Sequence, residues 1–397
     1  MPAPEGTRTT AAAGPAAPPV RTGVPLAAYT TLGLGGPAAT FLEPPAEDGF
    51  VSAVRSADKR AEPVLILGGG SNVVVADEGF PGAVIRVAMR GITIAPDGDG
   101  DGAVTMTVAA GEDWDAVVAR CTAEGLAGLE CLSGIPGLAG ATPIQNVGAY
   151  GQEVADTITA VRAYDRQRRE VAEIPVSACG FGYRTSVFKR TPFTLPGPGP
   201  APEAAAAAAT GRFAVLTVTF RLSRSPLSGP VRYPELARTL GVTPGGRVPL
   251  GEARSAVLEL RARKGMVLDA GDPDSRSAGS FFTNPVLTSA EFAAVEDRAR
   301  RACGPQTAVP RFPAGDGQVK VPAAWLIEHA GFGKGYRPSG QAGPAARIST
   351  KHTLALVNPG DATTASLLAL AAEIRDGVRA TFGVTLVIEP VLVGLSL

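Results

Sequence analysis

Apolar residues follow two patterns along the chain. Short runs rich in β-branched residues predict strands at 63–67, 83–87, 104–108 and 213–220. Elsewhere apolar residues recur at helical spacing, at Trp114, Val117, Val118 and Cys121 and again at Leu367, Ala371, Ile374, Val378 and Phe382. The strands and helices do not alternate as they do in repeated βαβ units, so the pattern predicts an α+β fold.

Polar and glycine residues mark the ends of two predicted helices. Thr288 and Glu291 form a possible capping box ahead of a helix over 290–302. Gly383 directly follows the last apolar position of the late helix, where a left-handed glycine commonly ends a helix.

Two segments lack apolar periodicity. Residues 1–24 are rich in Ala, Pro, Thr and Gly, and we predict a disordered tail there. A Pro- and Ala-rich stretch at 194–211 is predicted to be a surface loop insertion. The chain has neither the apolar stretch of a secretory signal nor a run long enough to span a membrane, so a soluble, cytoplasmic protein is expected.

Charge and cysteine content remove several functional classes. Lys plus Arg and Asp plus Glu each number 37, which argues against a nucleic-acid or membrane-surface partner. Four widely spaced cysteines and two histidines support neither a zinc site nor a disulfide framework, and we predict no metal. With only two histidines, the chain also offers few residues for a Ser-His-Asp catalytic triad. The chemistry is therefore expected to come from an organic cofactor.

Two glycine clusters are candidates for binding a cofactor. The first, LGGGSNVVV at 67–75, follows a predicted strand, but its spacing fits neither a dinucleotide fold nor a P-loop. A tight structural turn and a phosphate site remain equal alternatives for it. The second, CLSGIPGLAGATPIQNVGAYGQE at 131–153, mixes glycines with amide and hydroxyl side chains, which favours backbone shaped around a ligand over a plain surface loop.

Two further clusters carry reactive side chains. The run GYRTSVFK at 182–189 looks like a strand, in which Arg184 would share a face with Ser186 and Phe188, opposite Tyr183. A half-exposed strand with solvated cations is its alternative interpretation. In AGSFFTNP at 278–285, Ser280 is either a reactive hydroxyl or a turn cap.

A carboxylate stands in an apolar stretch near the end of the chain. Glu389 lies within VTLVIEPVLVG, which the composition predicts to be a strand, with Pro390 favouring an edge or bulge. Such a group must be paired, protonated or exposed, and the sequence favours a structural ion pair and a catalytic acid equally.

In this order, the motifs GGGSNV, SGIPG, PIQNVGAYGQE, GYRTSVFK, AGSFFTNP, AAWLIE and LALVN and the late glutamate resemble the MurB family of flavin-dependent UDP-N-acetylenolpyruvoylglucosamine reductases. The resemblance runs from about Leu32 to Gly394. It implies a vanillyl-alcohol-oxidase-type FAD-binding unit of two α+β subdomains, followed by an α+β substrate-binding domain. The expected divisions are 25–88, with 384–397 returning to it, 89–264 and 265–383.

The resemblance also implies roles for individual residues. FAD would be held without a covalent bond by Gly68, Gly69, Gly70, Ser71, Asn72, Ser133, Gly134, Ile135, Pro136, Gly137, Thr142, Gln145, Asn146, Gly148, Ala149, Tyr150 and Gly151. NADPH would supply the hydride. Catalysis would rest on Arg184, Ser280 and Glu389, with Ser280 giving a proton to the substrate α-carbon. The substrate, UDP-N-acetylglucosamine enolpyruvate, would contact Tyr183, Tyr233, Arg261, Lys264, Asn284 and His352 in a monomeric enzyme.

One departure and two alternatives accompany this resemblance. His352 stands where the family frequently has glutamine, which keeps a hydrogen-bonding side chain. One alternative is another FAD-dependent oxidoreductase of the same fold, although no histidine precedes His329 to carry a covalent flavin. The other alternative is a non-catalytic nucleotide-sugar-binding relative.

Overall fold

The computed structural model describes residues 19–98, 102–191, 193, 211–338 and 345–397. Most of the predicted tail, 1–18, and most of the predicted insertion, 194–210, lie outside these residues. The prediction of disorder is wrong for the end of the tail. Arg21 exchanges backbone hydrogen bonds of 3.0 and 2.8 Å with Phe41, and Gly23 N–H donates to the Ala38 carbonyl at 2.9 Å.

The helices confirm the sequence pattern where it was strongest. Within the described residues they are α1 Glu47–Lys59, α2 Trp114–Ala123, α3 Val176–Cys179, α4 Val187–Arg190, α5 Pro234–Thr239, α6 Leu250–Arg263, α7 Ser289–Cys303, α8 Ala323–His329 and α9 Thr364–Phe382. The Thr288–Glu291 capping box is present at the start of α7. The predicted apolar face of α9 is buried, and Gly383 ends the helix with a φ of 75°.

The strands extend each predicted run by a few residues or trim it slightly. They are β1 Val24–Pro25, β2 Pro37–Leu42, β3 Val64–Leu67, β4 Val73–Val75, β5 Phe80–Arg86, β6 Ile92–Pro96, β7 Ala103–Ala109, β8 Leu126–Ala127, β9 Gly148–Ala149, β10 Gln152–Glu153, β11 Ile158–Asp165, β12 Glu170–Pro175, β13 Phe213–Arg224, β14 Ser277–Ser280, β15 Val286–Leu287, β16 Phe312–Pro313, β17 Val319–Lys320, β18 Arg347–Ile348, β19 Ala355–Val357 and β20 Val391–Val393. Short 3-10 turns occur at Leu26–Tyr29, Glu130–Leu132, Ala139–Ala141, Val154–Asp156 and Pro273–Ser275.

Two larger sheets dominate the N-terminal two thirds of the chain. The first has the order β1-β2-β5-β3, with β2, β5 and β3 parallel. The second, β12-β11-β13-β7-β6, is antiparallel, and β8 adds to β13. One apolar core joins residues of α1 and β5 to residues of α2 and the second sheet. This mixture of parallel and antiparallel sheets with isolated helices is an α+β fold, as predicted.

The C-terminal part of the chain packs a second core around α7, α8 and α9 and the small sheets β14-β19-β18 and β15-β17-β16, and Leu32, Leu34 and Val74 of the N-terminal part join it. The final strand β20 then leaves this core and pairs in parallel with β4. The two parts also meet where the Asp77 carboxylate accepts the backbone N–H groups of Thr364 and Ala365, at 2.9 and 3.0 Å. This acid caps the positive end of α9 and fixes the helix against the N-terminal half.

Candidate functional site

The first glycine cluster is a tight loop between β3 and β4. Gly70 has a φ of 64°, and a Cβ added there would lie 1.9 Å from the Tyr29 carbonyl oxygen. A Cβ on Gly69 would lie 2.7 Å from the Cα of Gly137, in the second glycine cluster. No side chain fits at either position, so the two glycine loops pack backbone against backbone and form one surface.

This surface presents backbone N–H groups that the protein leaves free. Among the described residues, the N–H groups of Gly69, Gly70 and Ser71 donate to no protein acceptor. Consecutive free N–H groups in a turn attract anionic oxygens. The sequence alone left a structural turn and a phosphate site equally open, and the free donors favour the second.

Three side chains predicted to bind a cofactor also make hydrogen bonds that shape the second loop. The Ser133 and Thr142 hydroxyls donate to the Glu130 and Ala139 carbonyls, at 2.7 and 2.8 Å. The Asn146 amide donates to Glu153 and to the Gly182 carbonyl and accepts from Ala155 N–H. Both amide hydrogens of Asn146 are engaged within the protein, so its side chain has no donor left for a cofactor.

Asp115, which the sequence analysis did not single out, holds the start of the second loop. Its carboxylate accepts the Gly134 N–H at 2.6 Å and pairs through both oxygens with Arg254, at 2.7 and 2.8 Å. Burial opposes the charged form, but these hydrogen bonds outweigh it and lower the pKa of Asp115. Its position in the first turn of α2 gave only the ordinary signal of a helix N-terminus.

The predicted strand at 182–189 is wrong. Gly182 and Thr185 bridge in a tight turn, and α4 follows, capped by the Ser186 hydroxyl at Phe188 N–H. Arg184 lies in the turn with a φ of 53°, a conformation that is costly for a side chain with a Cβ. The turn aims the guanidinium inward, where its Nη2 donates to the Gly148 carbonyl at 2.9 Å.

The strand predicted around Glu389 is also shorter than expected, because only Val391–Val393 pairs as β20. Glu389 precedes it and is held by its backbone N–H, which donates to the Phe281 carbonyl at 2.9 Å. Its side chain is 12% exposed. Burial raises the pKa of Glu389 above its usual value, against the positive charges of Arg184 and Lys189.

A chain of polar contacts joins the two glycine loops to the charged residues. Asn72 Nδ2 donates to Gln145 Oε1 at 2.7 Å, and Gln145 Nε2 donates to Glu389 Oε1 at 3.3 Å. The same carboxylate oxygen lies 3.3 Å from Arg184 Nε. That nitrogen is buried and has no hydrogen-bond partner among the described residues, so this contact is an electrostatic one that leaves a donor available.

Ser280 is the last residue of β14, next in sequence to a residue that contacts the Glu389 backbone. It pairs with Ala355 of β19, and the carbonyl of the next residue, Phe281, holds the Glu389 backbone. The Ser280 hydroxyl has no hydrogen-bond partner in the part of the chain that the structure describes, so it caps no turn there. The alternative interpretation of Ser280 as a turn cap is therefore wrong.

A second group gathers around Tyr150. The Tyr150 and Tyr233 rings meet edge to face with centroids 5.5 Å apart, and Lys264 Nζ lies 5.8 Å from the Tyr150 centroid. Arg261 donates to the Met266 carbonyl at 2.7 Å, while its buried Nε has no partner among the described residues. Burial lowers the pKa of Arg261 to about 10, against the attraction of Tyr150 and Asp115.

A cavity of about 670 Å³ opens beside Arg184. Tyr183, Lys189 and Asn284 line it, and the Tyr183 ring also faces Lys320 Nζ at 4.6 Å from its centroid. The Asn284 side-chain oxygen Oδ1 accepts the Ala323 N–H at 2.9 Å. The sequence analysis assigned no role to Lys189, because its proximity to Glu389 depends on the fold of the turn.

Comparison with known proteins identifies the family. Residues 272–393 match the C-terminal domain of UDP-N-acetylenolpyruvoylglucosamine reductase, and residues 38–171 match an FAD-binding domain. Proteins named UDP-N-acetylenolpyruvoylglucosamine reductase are similar over the whole length. The one from Thermobifida fusca is 53% identical over 374 residues, covering 94% of this chain and 98% of that protein. The one from Salinispora arenicola is 54% identical over 373 residues, covering 94% and 95%. This chain belongs to the UDP-N-acetylenolpyruvoylglucosamine reductase family.

The fold agrees with this membership. The crystal structure of UDP-N-acetylenolpyruvylglucosamine reductase from Thermus caldophilus matches 94% of this chain and 99% of its own, with 25% sequence identity and a TM-score of 0.58. As a member of the family, the chain is an FAD-dependent oxidoreductase with a vanillyl-alcohol-oxidase-type FAD-binding fold. No helix among the described residues is long and apolar enough to cross a membrane.

The residues present fit FAD. The free N–H groups of Gly69, Gly70 and Ser71 suit the oxygens of a diphosphate. The positive φ of Gly70 and the close packing of the loop backbones keep these N–H groups accessible. The amide groups of Asn72 and Gln145 and the buried Nε of Arg184 supply polar contacts at the other end of the same surface. The donor set is thus rich in neutral and cationic donors, as a dianionic cofactor requires.

His352 is a buried histidine whose protonation links the stability of this chain to pH. Burial, together with the charges of Lys264 and Lys334, lowers the pKa of His352 to about 4. The unfolded chain takes up this proton near pH 6.5 and the folded chain does not, so stability falls as the pH drops from about 6.5 towards 4. We expect His352→Gln to reduce the loss of unfolding free energy between pH 7 and pH 4.5 by on the order of 2 kcal/mol.

Urea unfolding at the two pH values measures this difference. An unchanged pH dependence in His352→Gln would show that the imidazole does not resist protonation in the folded protein.

Proposed function

We propose that this protein reduces the enolpyruvyl group of UDP-N-acetylglucosamine enolpyruvate to a lactyl ether with NADPH as reductant. The product would be UDP-N-acetylmuramate, a precursor of peptidoglycan. The observation that carries the proposal is the group formed by Arg184, Glu389 and Gln145 on the joined glycine loops, together with Ser280 one residue before the Phe281 carbonyl that holds the Glu389 backbone. These groups supply a cation, a carboxyl and a proton donor next to the FAD-binding surface.

The two glycine loops would hold FAD without a covalent bond. Their residues are Gly68, Gly69, Gly70, Ser71 and Asn72 in the first loop, and Ser133, Gly134, Ile135, Pro136, Gly137, Thr142, Gln145, Asn146, Gly148, Ala149, Tyr150 and Gly151 in the second. The chemistry that bound FAD would supply at these loops is hydride transfer, from NADPH to the β-carbon of the enolpyruvyl group.

Arg184 would stabilise the negative charge that the reduction creates. Addition at the β-carbon leaves a carbanion at the α-carbon that is delocalised into the substrate carboxylate as an enolate-like dianion, so charge builds up on its two oxygens. A planar guanidinium matches two oxygens better than an ammonium does. The left-handed turn and the bond to the Gly148 carbonyl fix the guanidinium before the substrate arrives, and its buried Nε remains available.

Ser280 would complete the reaction by giving its hydroxyl proton to the α-carbon, where a new C–H bond forms. A serine hydroxyl is a weak acid, so the basicity of the enolate must drive this transfer. Glu389 would assist the same intermediate. Because burial raises its pKa, Glu389 keeps a proton to higher pH than an exposed glutamate and is suited to donating a hydrogen bond.

The remaining polar residues would bind the substrate. The group around Tyr150 contains Tyr233, Arg261, Lys264 and His352, whereas Tyr183 and Asn284 line the cavity beside Arg184.

We also propose the domain division 25–88 with 384–397, 89–264 and 265–383. The parallel pairing of β20 with β4 supports the return of 384–397 to the first unit. A monomeric state and a cytoplasmic location stay predictions.

Asp115→Asn tests the assignment of the second loop to FAD. An asparagine cannot keep both the Gly134 N–H and the two bonds from Arg254, so the loop loses a charged acceptor. We expect FAD to bind about tenfold more weakly, because a hydrogen bond to a charged group contributes about 1.5 kcal/mol or more. Fluorescence of released flavin during dilution measures the dissociation constant.

Asp113→Asn is the matched control, because asparagine caps a helix as well as aspartate does and Asp113 caps α2. Equal dissociation constants for the two variants would contradict the assignment.

The reaction itself is tested by mass spectrometry of the products. Purified protein with FAD, NADPH and UDP-N-acetylenolpyruvoylglucosamine is expected to yield a product heavier by two hydrogens, in step with NADPH oxidation. NADPH oxidation without that product would contradict the proposed substrate.

A further inference from the structure

Glu130 is a buried acid for which neither the sequence analysis nor the proposed reaction has a use. It lies in the 3-10 turn just before the second glycine loop and is 2% exposed. A carboxylate removed from water must be satisfied by protein donors, so its partners show what it holds together.

Three donors from three different segments meet on this carboxylate. Oε1 accepts the Gly229 N–H at 2.6 Å and Gln152 Nε2 at 3.0 Å, and Oε2 accepts the Gly128 N–H at 2.7 Å. The orientation of the Gln152 amide is fixed, because its oxygen accepts the Cys131 N–H at 2.9 Å. Glu130 therefore connects both ends of the second glycine loop to the segment that begins at Gly229.

That segment leads directly to Tyr233. A Cβ added to Gly151, whose φ is 83°, would lie 3.2 Å from Arg232 Cβ and 3.4 Å from Tyr233 N. Backbone thus packs on backbone between the loop and the Tyr233 segment, and the Tyr150 and Tyr233 rings meet edge to face above this contact. Tyr233 is 42% exposed, so its ring is available to a ligand.

We propose that Glu130 is a positioning residue that holds Tyr233 against Tyr150 and thereby sets the affinity for the nucleotide half of the substrate. This inference rests on the proposed function and on the resemblance to the family, which implies that Tyr233 contacts the uridine nucleotide of the substrate. Glu130 acts through the Gly229 N–H and the short chain that follows it. Val231, which is buried, anchors that chain.

Glu130→Gln tests the proposal with little change in shape. A glutamine keeps one acceptor oxygen and replaces the other by an NH2 group, which then faces an N–H donor at either Gly128 or Gly229. We expect the dissociation constant of UDP and the KM for UDP-N-acetylenolpyruvoylglucosamine to rise about tenfold, with kcat changed less than about twofold. Flavin reduction by NADPH should keep its wild-type rate.

Two variants make this result specific. Glu124→Gln, on an exposed glutamate after α2, should leave UDP binding unchanged. Tyr233→Ala should weaken UDP binding, and adding Glu130→Gln to it should cause little further loss, because both changes act on one contact. Additive losses, or unchanged UDP binding in Glu130→Gln, would overturn the proposal.

Gly229→Ala perturbs the same junction if Glu130→Gln fails to fold. The added Cβ would lie 3.3 Å from both Gln152 Nε2 and Glu130 Oε1, so the Tyr233 segment must shift. Weaker UDP binding is expected, and wild-type affinity would count against Glu130. UDP titration is read without turnover, so failure of the proposed reaction and failure of this inference are separate outcomes.

Discussion

Arg184→Lys is expected to lower kcat roughly 100-fold or more, a loss typical of removing one preorganised donor from an oxyanion site. An ammonium cannot span two oxygens, and a lysine also loses the bond from Nη2 to the Gly148 carbonyl. The KM should change less than kcat, because the enolate charge exists only after hydride addition. Steady-state kinetics with saturating NADPH measures both constants.

The control for Arg184→Lys is Arg168→Lys, a change at an exposed arginine whose side chain is 67% accessible. That variant should keep wild-type kinetics. Near-normal turnover in Arg184→Lys would contradict the electrostatic role of the guanidinium and would leave the Glu389 contact as a structural ion pair.

Ser280→Ala is expected to separate the two halves of the reaction. Reduction of the flavin by NADPH should proceed at the wild-type rate, because the serine hydroxyl delivers no proton in that step. Reoxidation by the enolpyruvyl substrate should slow about 100-fold or more, the usual contribution of a positioned acid. Stopped-flow absorbance of each half-reaction under anaerobic conditions measures the two rates.

Ser289→Ala, at an exposed serine in the first turn of α7, is the matched control and should leave both half-reactions intact. A defect of Ser280→Ala in flavin reduction, or none in either step, would remove Ser280 from the role of proton donor. The free hydroxyl at the end of β14 would then need another explanation.

Local patterns made the framework of this fold predictable. The strand at Phe213–Arg224, the capping box at Thr288 and the glycine end of α9 depend on residues within a few positions of one another. Binary patterning and capping record such contacts directly in the sequence. The α+β class followed from them, and the family followed from the order of the motifs.

The site geometry was less predictable because it depends on contacts between distant segments. Alternation predicted a strand through Arg184, yet a left-handed turn brings its guanidinium to Gly148 and Glu389. The apolar run around Glu389 likewise predicted a longer strand than β20. Asp115 and Glu130 were missed altogether, since nothing local distinguishes an acid that holds a distant loop from one that faces water.

The most direct test of the account is an anaerobic visible spectrum of the purified protein, followed through two additions. NADPH is expected to bleach the flavin band, and UDP-N-acetylenolpyruvoylglucosamine is expected to restore it. A flavin that bleaches with NADPH and is not reoxidised by this sugar nucleotide would contradict the proposed reaction.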